Sequence, residues 1–350
     1  MINHIKNTLF LTICFLAFQS SNLFAQKGLF SRQKVVNQYA TVGIGGGSSH
    51  YFGDLARYSY AYYGLYTNVR WNGSMNYTRF LTPNAAARVS FSYARLAGDD
   101  YNFSQKNLEK MADNYLRNLH FRNDLQEFTL SGLFNILPQY GKGAKGRSAM
   151  MPYVAIGVGL YGHNPKARAA ADFTGPNGEL EKQPWTSLKP LRTSGQGLPG
   201  YSTKPYSLVQ PVMPIAIGIR LKINQNFDFT AEAGFRLTPF DYLDDVGSGE
   251  YPAKSLLASV GGNQSADFSY RAGETYSALK LTNRGAQYKQ AAQIYTPGAT
   301  VGPGASPENS SDNIYRYSSP RGTKRIDSYI LTQFTISYVL SNNIKCPPIR

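Results

Sequence analysis

The chain has 350 residues, of which only 16% are charged. Lys and Arg outnumber Asp and Glu by 36 to 21, a formal charge of +15. It is rich in Gly (33), Tyr (26) and Phe (19). The run Leu9 to Phe18 is the one long apolar segment and is too short for a membrane helix of about 20 residues, so a helical membrane protein is excluded.

The N-terminus combines Lys6, the apolar run and Ala25 after a polar stretch, which predicts a cleaved signal peptide over residues 1–25. Cys14 lies inside the apolar run after Ile13, unlike a lipoprotein cysteine. Cys346 then remains alone, and no disulfide framework can be built from it.

Eight segments read as strands: Tyr39–Gly47, Tyr66–Leu81, Ala85–Leu96, Arg122–Leu137, Pro152–His163, Val212–Ile223, Phe227–Pro239 and Ser328–Leu340. Thr82-Pro83-Asn84 and Asn224-Gln225-Asn226 are tight turns. In the sixth segment Ile215, Ile217, Ile219, Leu221 and Ile223 share a face opposite Ala216, Gly218, Arg220 and Lys222. The seventh sets Phe227, Phe229, Ala231, Ala233, Phe235 and Leu237 against Asp228, Thr230, Glu232, Gly234 and Arg236. Apolar residues on one face and mid-strand charges on the other suit a barrel with lipid outside and a polar lumen within. The connections alternate long (48–65, 97–121, 164–211, 240–327) with short or medium (82–84, 138–151, 224–226). That sorting separates a transmembrane barrel from a soluble sandwich. The expected architecture is an all-β, eight-stranded antiparallel barrel over 39–340, with a periplasmic segment 26–38, short periplasmic turns and a periplasmic tail 341–350. The loop 240–327 is expected to be extracellular and partly disordered, given Pro297-Gly298 and Val301-Gly302-Pro303-Gly304.

An outer-membrane location follows from this reading. Inward-facing Arg88, Glu127, Arg220, Asp228, Glu232 and Arg236 are expected to form a lumen charge network, because an eight-stranded barrel is only wide enough for side chains to fill. Gly43 to Gly47 lacks the helix and acidic residue of a dinucleotide loop and reads as glycine at a crowded rim. His50, His120 and His163 are isolated and give no metal-ligand spacing. Asp241, Asp244, Asp245 and Glu250 are a calcium candidate, weighed against a solvated acidic turn because the EF-hand ligand order is absent. No Ser-His-Asp, paired-carboxylate or thiol pattern supports an enzyme, and no cofactor or nucleic acid is expected.

Eight basic residues and no acidic one fall on the side of the termini: Lys27, Arg32, Lys34, Lys142, Lys145, Arg147, Lys345 and Arg350. Such a one-signed face attracts either an acidic protein or lipid phosphates. Lys142, Lys145, Arg147 and Lys345 are the candidate partner-binding residues.

Several short stretches follow one another in a familiar order: Gly45-Gly46-Gly47-Ser48-Ser49-His50-Tyr51-Phe52-Gly53-Asp54-Leu55, Arg95-Leu96-Ala97-Gly98-Asp99-Asp100 and Arg117-Asn118-Leu119-His120-Phe121 with Glu127. Pro152-Tyr153, Asn164-Pro165, Gly195-Gln196-Gly197, Tyr206-Ser207-Leu208 and Asp241-Tyr242-Leu243-Asp244-Asp245-Val246 continue it. In these the sequence resembles the PorG-like outer-membrane barrels associated with the type IX secretion machinery. The resemblance implies a barrel that contacts a periplasmic ring protein of that apparatus. The alternative is a structural or surface-binding barrel acting through its extracellular loops.

Overall fold

The computed structural model describes residues 39–137, 143–201, 203–249, 251–295, 321–323 and 325–340. Eight long strands form the wall: β1 (Ala40–Phe52), β2 (Arg70–Phe80), β3 (Ala85–Asp99), β4 (His120–Asn135), β5 (Met150–Gly162), β8 (Val209–Lys222), β9 (Phe227–Leu237) and β10 (Ser328–Leu340). Two short strands, β6 (Lys166–Arg168) and β7 (Trp185–Ser187), make a hairpin hung on β4 through the pair Arg122 and Lys166. Each long strand pairs antiparallel with two neighbours, β1 with β10 and β2, and β3 with β4, so the sheet closes on itself. Closure removes the edges that an open sheet would expose.

The short turns are built by their own side chains. Thr82 Oγ1 accepts from Ala85 N at 2.9 Å, and Asn224 Oδ1 accepts from Asn226 N at 2.8 Å and Phe227 N at 2.9 Å. These local bonds fix the register of β2 on β3 and of β8 on β9.

Alternation then sorts the faces. Ile44, Val158 and Ile217 are 70%, 64% and 65% exposed on the outside. Glu127, Asp228 and Arg236 are buried inside. Apolar side chains outward and charges inward reverse the order of a soluble protein, and this is the arrangement that lipid demands. No helix among the described residues is long and apolar enough to cross a membrane, and the crossing is made by strands.

The expected strand count and the alternation of long and short connections hold. The second strand starts four residues later than expected, because Ala61–Thr67 forms helix α1. The first strand runs on to Phe52, past the glycine run. Gly43 to Gly47 lies at the β1–β10 seam and not at a rim: a Cβ on Gly47 would stand 1.9 Å from the carbonyl oxygen of Thr332. Glycine there permits close backbone approach.

The long connections fold over one end of the barrel. They carry α2 (Asp100–Ser104), α3 (Leu108–Arg117), α4 (Lys254–Ser269) and α5 (Gly285–Tyr295). Tyr115 and Leu116 of α3 pack on Tyr288, Ala291 and Ala292 of α5, all buried. The described part of the 240–327 loop is therefore ordered. Its Pro- and Gly-rich pieces, expected to be disordered, lie outside the described residues.

Candidate functional site: a plugged lumen beneath a locked cap

The lumen holds three carboxylates, and each is met by its own arginine. Arg88 binds Glu232 through two nitrogens, at 2.6 and 3.0 Å, and Tyr153 donates its hydroxyl to the same carboxylate at 2.6 Å. Arg236 reaches Glu127 at 3.3 Å, and Tyr329 donates to Glu127 at 2.6 Å. Arg147 pairs with Asp228 at 3.1 Å. Arg220 lies over the Phe80 ring, 4.5 Å from its centroid. All six residues expected to face inward do so, but in place of one continuous network Arg88–Glu232 and Arg236–Glu127 form two pairs with tyrosine partners, Asp228 pairs with Arg147, and Arg220 rests on Phe80.

Arg147 was expected on the exposed basic face, and the structure corrects this. Its side chain is 1% exposed and turns up into the barrel mouth, where its guanidinium also donates to the carbonyls of Ala144, Asn224 and Gln225. The attraction of buried Asp228, together with carbonyls left open by the neighbouring turn, outweighs solvation of the cation. Lys145 remains exposed, and its carbonyl accepts from Lys222 Nζ at 3.1 Å. Lys142 and Lys345 lie outside the described residues.

Between the pairs is a polar cavity of about 30 Å³, lined by Arg88, Ser90, Arg220, Thr230, Glu232 and Gln333 among others. It has room for water but not for a solute path.

At the other end a second polar assembly ties the long connections together. Arg117 makes a two-nitrogen contact with Asp100 at 2.7 and 2.8 Å, and also donates to the carbonyls of Arg321 and Asp54, each at 2.8 Å. Asp100 further accepts from Asn114 at 2.8 Å and from Leu119 N at 3.0 Å. Asp245 accepts from Thr193 at 2.6 Å, Tyr206 at 2.7 Å and Gln196 at 3.2 Å. Arg321 donates to Thr193 at 2.8 Å and to the hydroxyl of Ser194. The Tyr51 hydroxyl, rising from β1, lies between Asp244 at 2.6 Å and Asp327 at 2.9 Å. Each connection contributes at least one member, so the cap is locked from several directions.

Five carboxylates, Asp54, Asp241, Asp244, Asp245 and Asp327, lie in or beside this lock. Burial first, and then the charges of Asp54 and Asp244, push Asp241 up to about 8. Burial and Asp54 push Asp244 up to about 8. Asp327 is raised well above the ordinary carboxylate range by burial and by Asp244, Asp241 and Asp54. Burial raises Asp245 to about 6, opposed by Arg321. Asp241, Asp244 and Asp245 do not converge on a common point, because Asp245 is engaged by Thr193 and Tyr206 while Asp244 is engaged by Tyr51. Among the described residues no three His, Cys, Asp or Glu are grouped to hold a metal ion, and Glu250 lies outside them.

Sequence reading missed Tyr153 and Tyr329, although strand parity places both inward. It also missed Asp100, Arg117, Arg321 and Asp327: Asp100 and Arg117 pair within one connection, while Arg117, Arg321 and Asp327 also reach partners on other segments.

No protein-family model and no curated protein sequence matches the chain. Among solved structures it is similar to Ail, the attachment invasion locus protein of Yersinia pestis, at 8% identity over 87% of this chain and 100% of that one, with a TM-score of 0.32. Neisserial surface protein A gives 9% identity, 56% and 81% coverage and 0.31. OprG from Pseudomonas aeruginosa gives 7%, 87% and 96%, and 0.30. Scores this low carry no weight of their own. The closed ladder, the lipid-suited exterior and the polar interior establish an eight-stranded outer-membrane barrel.

Proposed function

We propose that the chain is a non-catalytic outer-membrane anchor that works through its surfaces, docking periplasmic components of a type IX-like secretion machine at its short-turn end. The plugged lumen carries this reading. Three arginine–carboxylate pairs and their tyrosines fill the only channel an eight-stranded barrel has, so the outer faces are what remain to act. The secretion partner rests on the sequence resemblance, and Lys145 is the described cation best placed to meet it. The locked cap favours a second reading, in which the long-loop end holds a surface ligand, since a pre-ordered surface loses less entropy on binding.

A photo-crosslinking residue placed at Lys145, and separately at exposed Lys110 on α3, separates the two in native membranes. A periplasmic protein captured at position 145 supports docking. Capture at position 110 alone favours the cap. A large, stable single-channel conductance would overturn both, because each depends on a closed lumen.

A further inference from the structure

The outward face of the β2–β3–β4 wall changes chemistry in a fixed order toward the long-loop end. Phe91, Phe128 and Leu160 are register partners on β3, β4 and β5, and are 41%, 57% and 56% exposed. Two residues on, Tyr93 stacks on Trp71 with ring centroids 5.6 Å apart. Two further on, Arg95 faces Asp124 at 2.6 Å. Beyond them Arg122 faces Lys166, and the hairpin adds Arg168 and Trp185. Arg122, Asp124 and Phe128 share strand parity, so the charged residues continue the lipid-facing surface.

These side chains are held in place. Arg95 lies over Trp71, 5.5 Å from the ring centroid. Trp185 is flanked by the guanidinium of Arg122 at 5.4 Å and that of Arg168 at 4.9 Å. Asp124 accepts from both Arg95 and Arg122, which keeps their planes together. Of the four cations Arg95, Arg122, Lys166 and Arg168, Asp124 pairs with the first two. Four residues of a strand tilted by about 40° rise about 10 Å, so the cations stand at headgroup depth above the last apolar row.

We propose that this row binds the phosphate groups of an outer-leaflet lipid, whose chains lie on Phe91, Phe128 and Leu160. Guanidinium groups match phosphate oxygens with paired donors, and stacking on indole orients them before the ligand arrives. Trp and Tyr favour the interface between chains and headgroups. A soluble polyanion or an acidic protein would use the cations but has no use for the apolar rows directly below them. The continuity of the two surfaces selects a lipid.

Both of the protein's tryptophans, Trp71 and Trp185, flank the row, so intrinsic fluorescence reports on it. The full-length barrel in zwitterionic detergent is titrated with bisphosphorylated lipid A and with the same lipid stripped of phosphate. The expected result is a saturable emission change with the phosphorylated lipid alone. Arg122→Gln with Lys166→Gln should raise the half-saturating concentration at least tenfold, and Lys166→Gln alone, which leaves the Asp124 pairs intact, severalfold. Heat-dependent gel mobility confirms that each variant is folded. An equal response to the dephosphorylated lipid, or unchanged titrations in both variants, overturns the proposal. Saturation by inorganic pyrophosphate at the lipid's own concentration also overturns it, because the ligand would then be a soluble anion.

Discussion

Replacing Glu232 by alanine tests whether the lumen is held by discrete ion pairs. Arg88 would lose its two-nitrogen contact at 2.6 and 3.0 Å, and the Tyr153 hydroxyl its acceptor at 2.6 Å. The side chains of Arg88 and Glu232 are only 13% and 4% exposed, so the orphaned guanidinium cannot reach bulk solvent. Breaking a buried pair from one side costs about 3–5 kcal/mol. The neighbouring cavity offers the stranded cation some water, which places the expectation near the lower end, about 3 kcal/mol. Replacing both partners, as Arg88→Met with Glu232→Leu, removes the uncompensated charge and should recover most of that loss. Urea unfolding of the reconstituted barrel, followed by loss of heat-modifiable gel mobility, gives the three free energies, and the cycle should show a coupling of at least about 2 kcal/mol. Strict additivity, or a loss below about 1 kcal/mol for Glu232→Ala, would mean that the pair is already solvated and the plug reading is wrong.

Arg147→Ala should destabilise the barrel by about 3 kcal/mol in the same assay, because it strands Asp228, whereas Lys145→Glu should stay within about 0.5 kcal/mol; equal effects would contradict the inward placement of Arg147. Arg117→Ala strands Asp100 and frees two carbonyls, so residues 240–295 should become protease-sensitive while barrel mobility on gels is unchanged. Asp241 and Asp244 have folded values near 8, against an ordinary 3.8. Between those values the unfolded cap binds fewer protons than the folded one, so the stability they contribute is complete below about pH 4 and is lost as pH rises through about 8. Amide exchange in the cap should accordingly quicken from pH 5 to pH 8 beyond the intrinsic base-catalysed rate, and a flat corrected rate would show that these carboxylates do not keep their protons in the folded cap.

The barrel was legible because its rule is local. A two-residue period needs no knowledge of distant contacts, and it placed Arg88, Glu127, Asp228, Glu232 and Arg236 correctly on the inner face. The same rule says nothing about a turn, which is why Arg147 was assigned to solvent although its side chain re-enters the lumen. Helix α1 was missed for a different reason: residues 61–65 read as part of the first long connection and Tyr66-Thr67 as the start of a strand, and the segment has neither a side-chain cap nor charged ends to mark a helix. The cap was illegible because its partners are remote in sequence. Tyr51 and Asp327 are 276 positions apart, and Arg117 meets the carbonyl of Arg321 across 204. An isolated Arg or Asp in a polar loop carries no mark of such a partner.

Several of the stretches that suggested a family resemblance meet in that cap, whereas Glu127 and Tyr153 belong to the lumen. Asp54, Asp100, Arg117, Gln196, Tyr206, Asp244 and Asp245 all belong to quoted pieces, and all make buried polar contacts there. A buried charge is tolerated when it is paired, so losing one of these residues strands its own partners. Their order along this chain reports how its long connections are locked over the barrel mouth. It does not by itself report what the protein touches. On the docking proposal, partner choice would fall to exposed side chains outside the lock, such as Lys145 at the short-turn end and Lys110 on the cap. Changing those should redirect binding without loosening the fold, whereas changing Arg117 or Asp245 should loosen the cap whatever the partner.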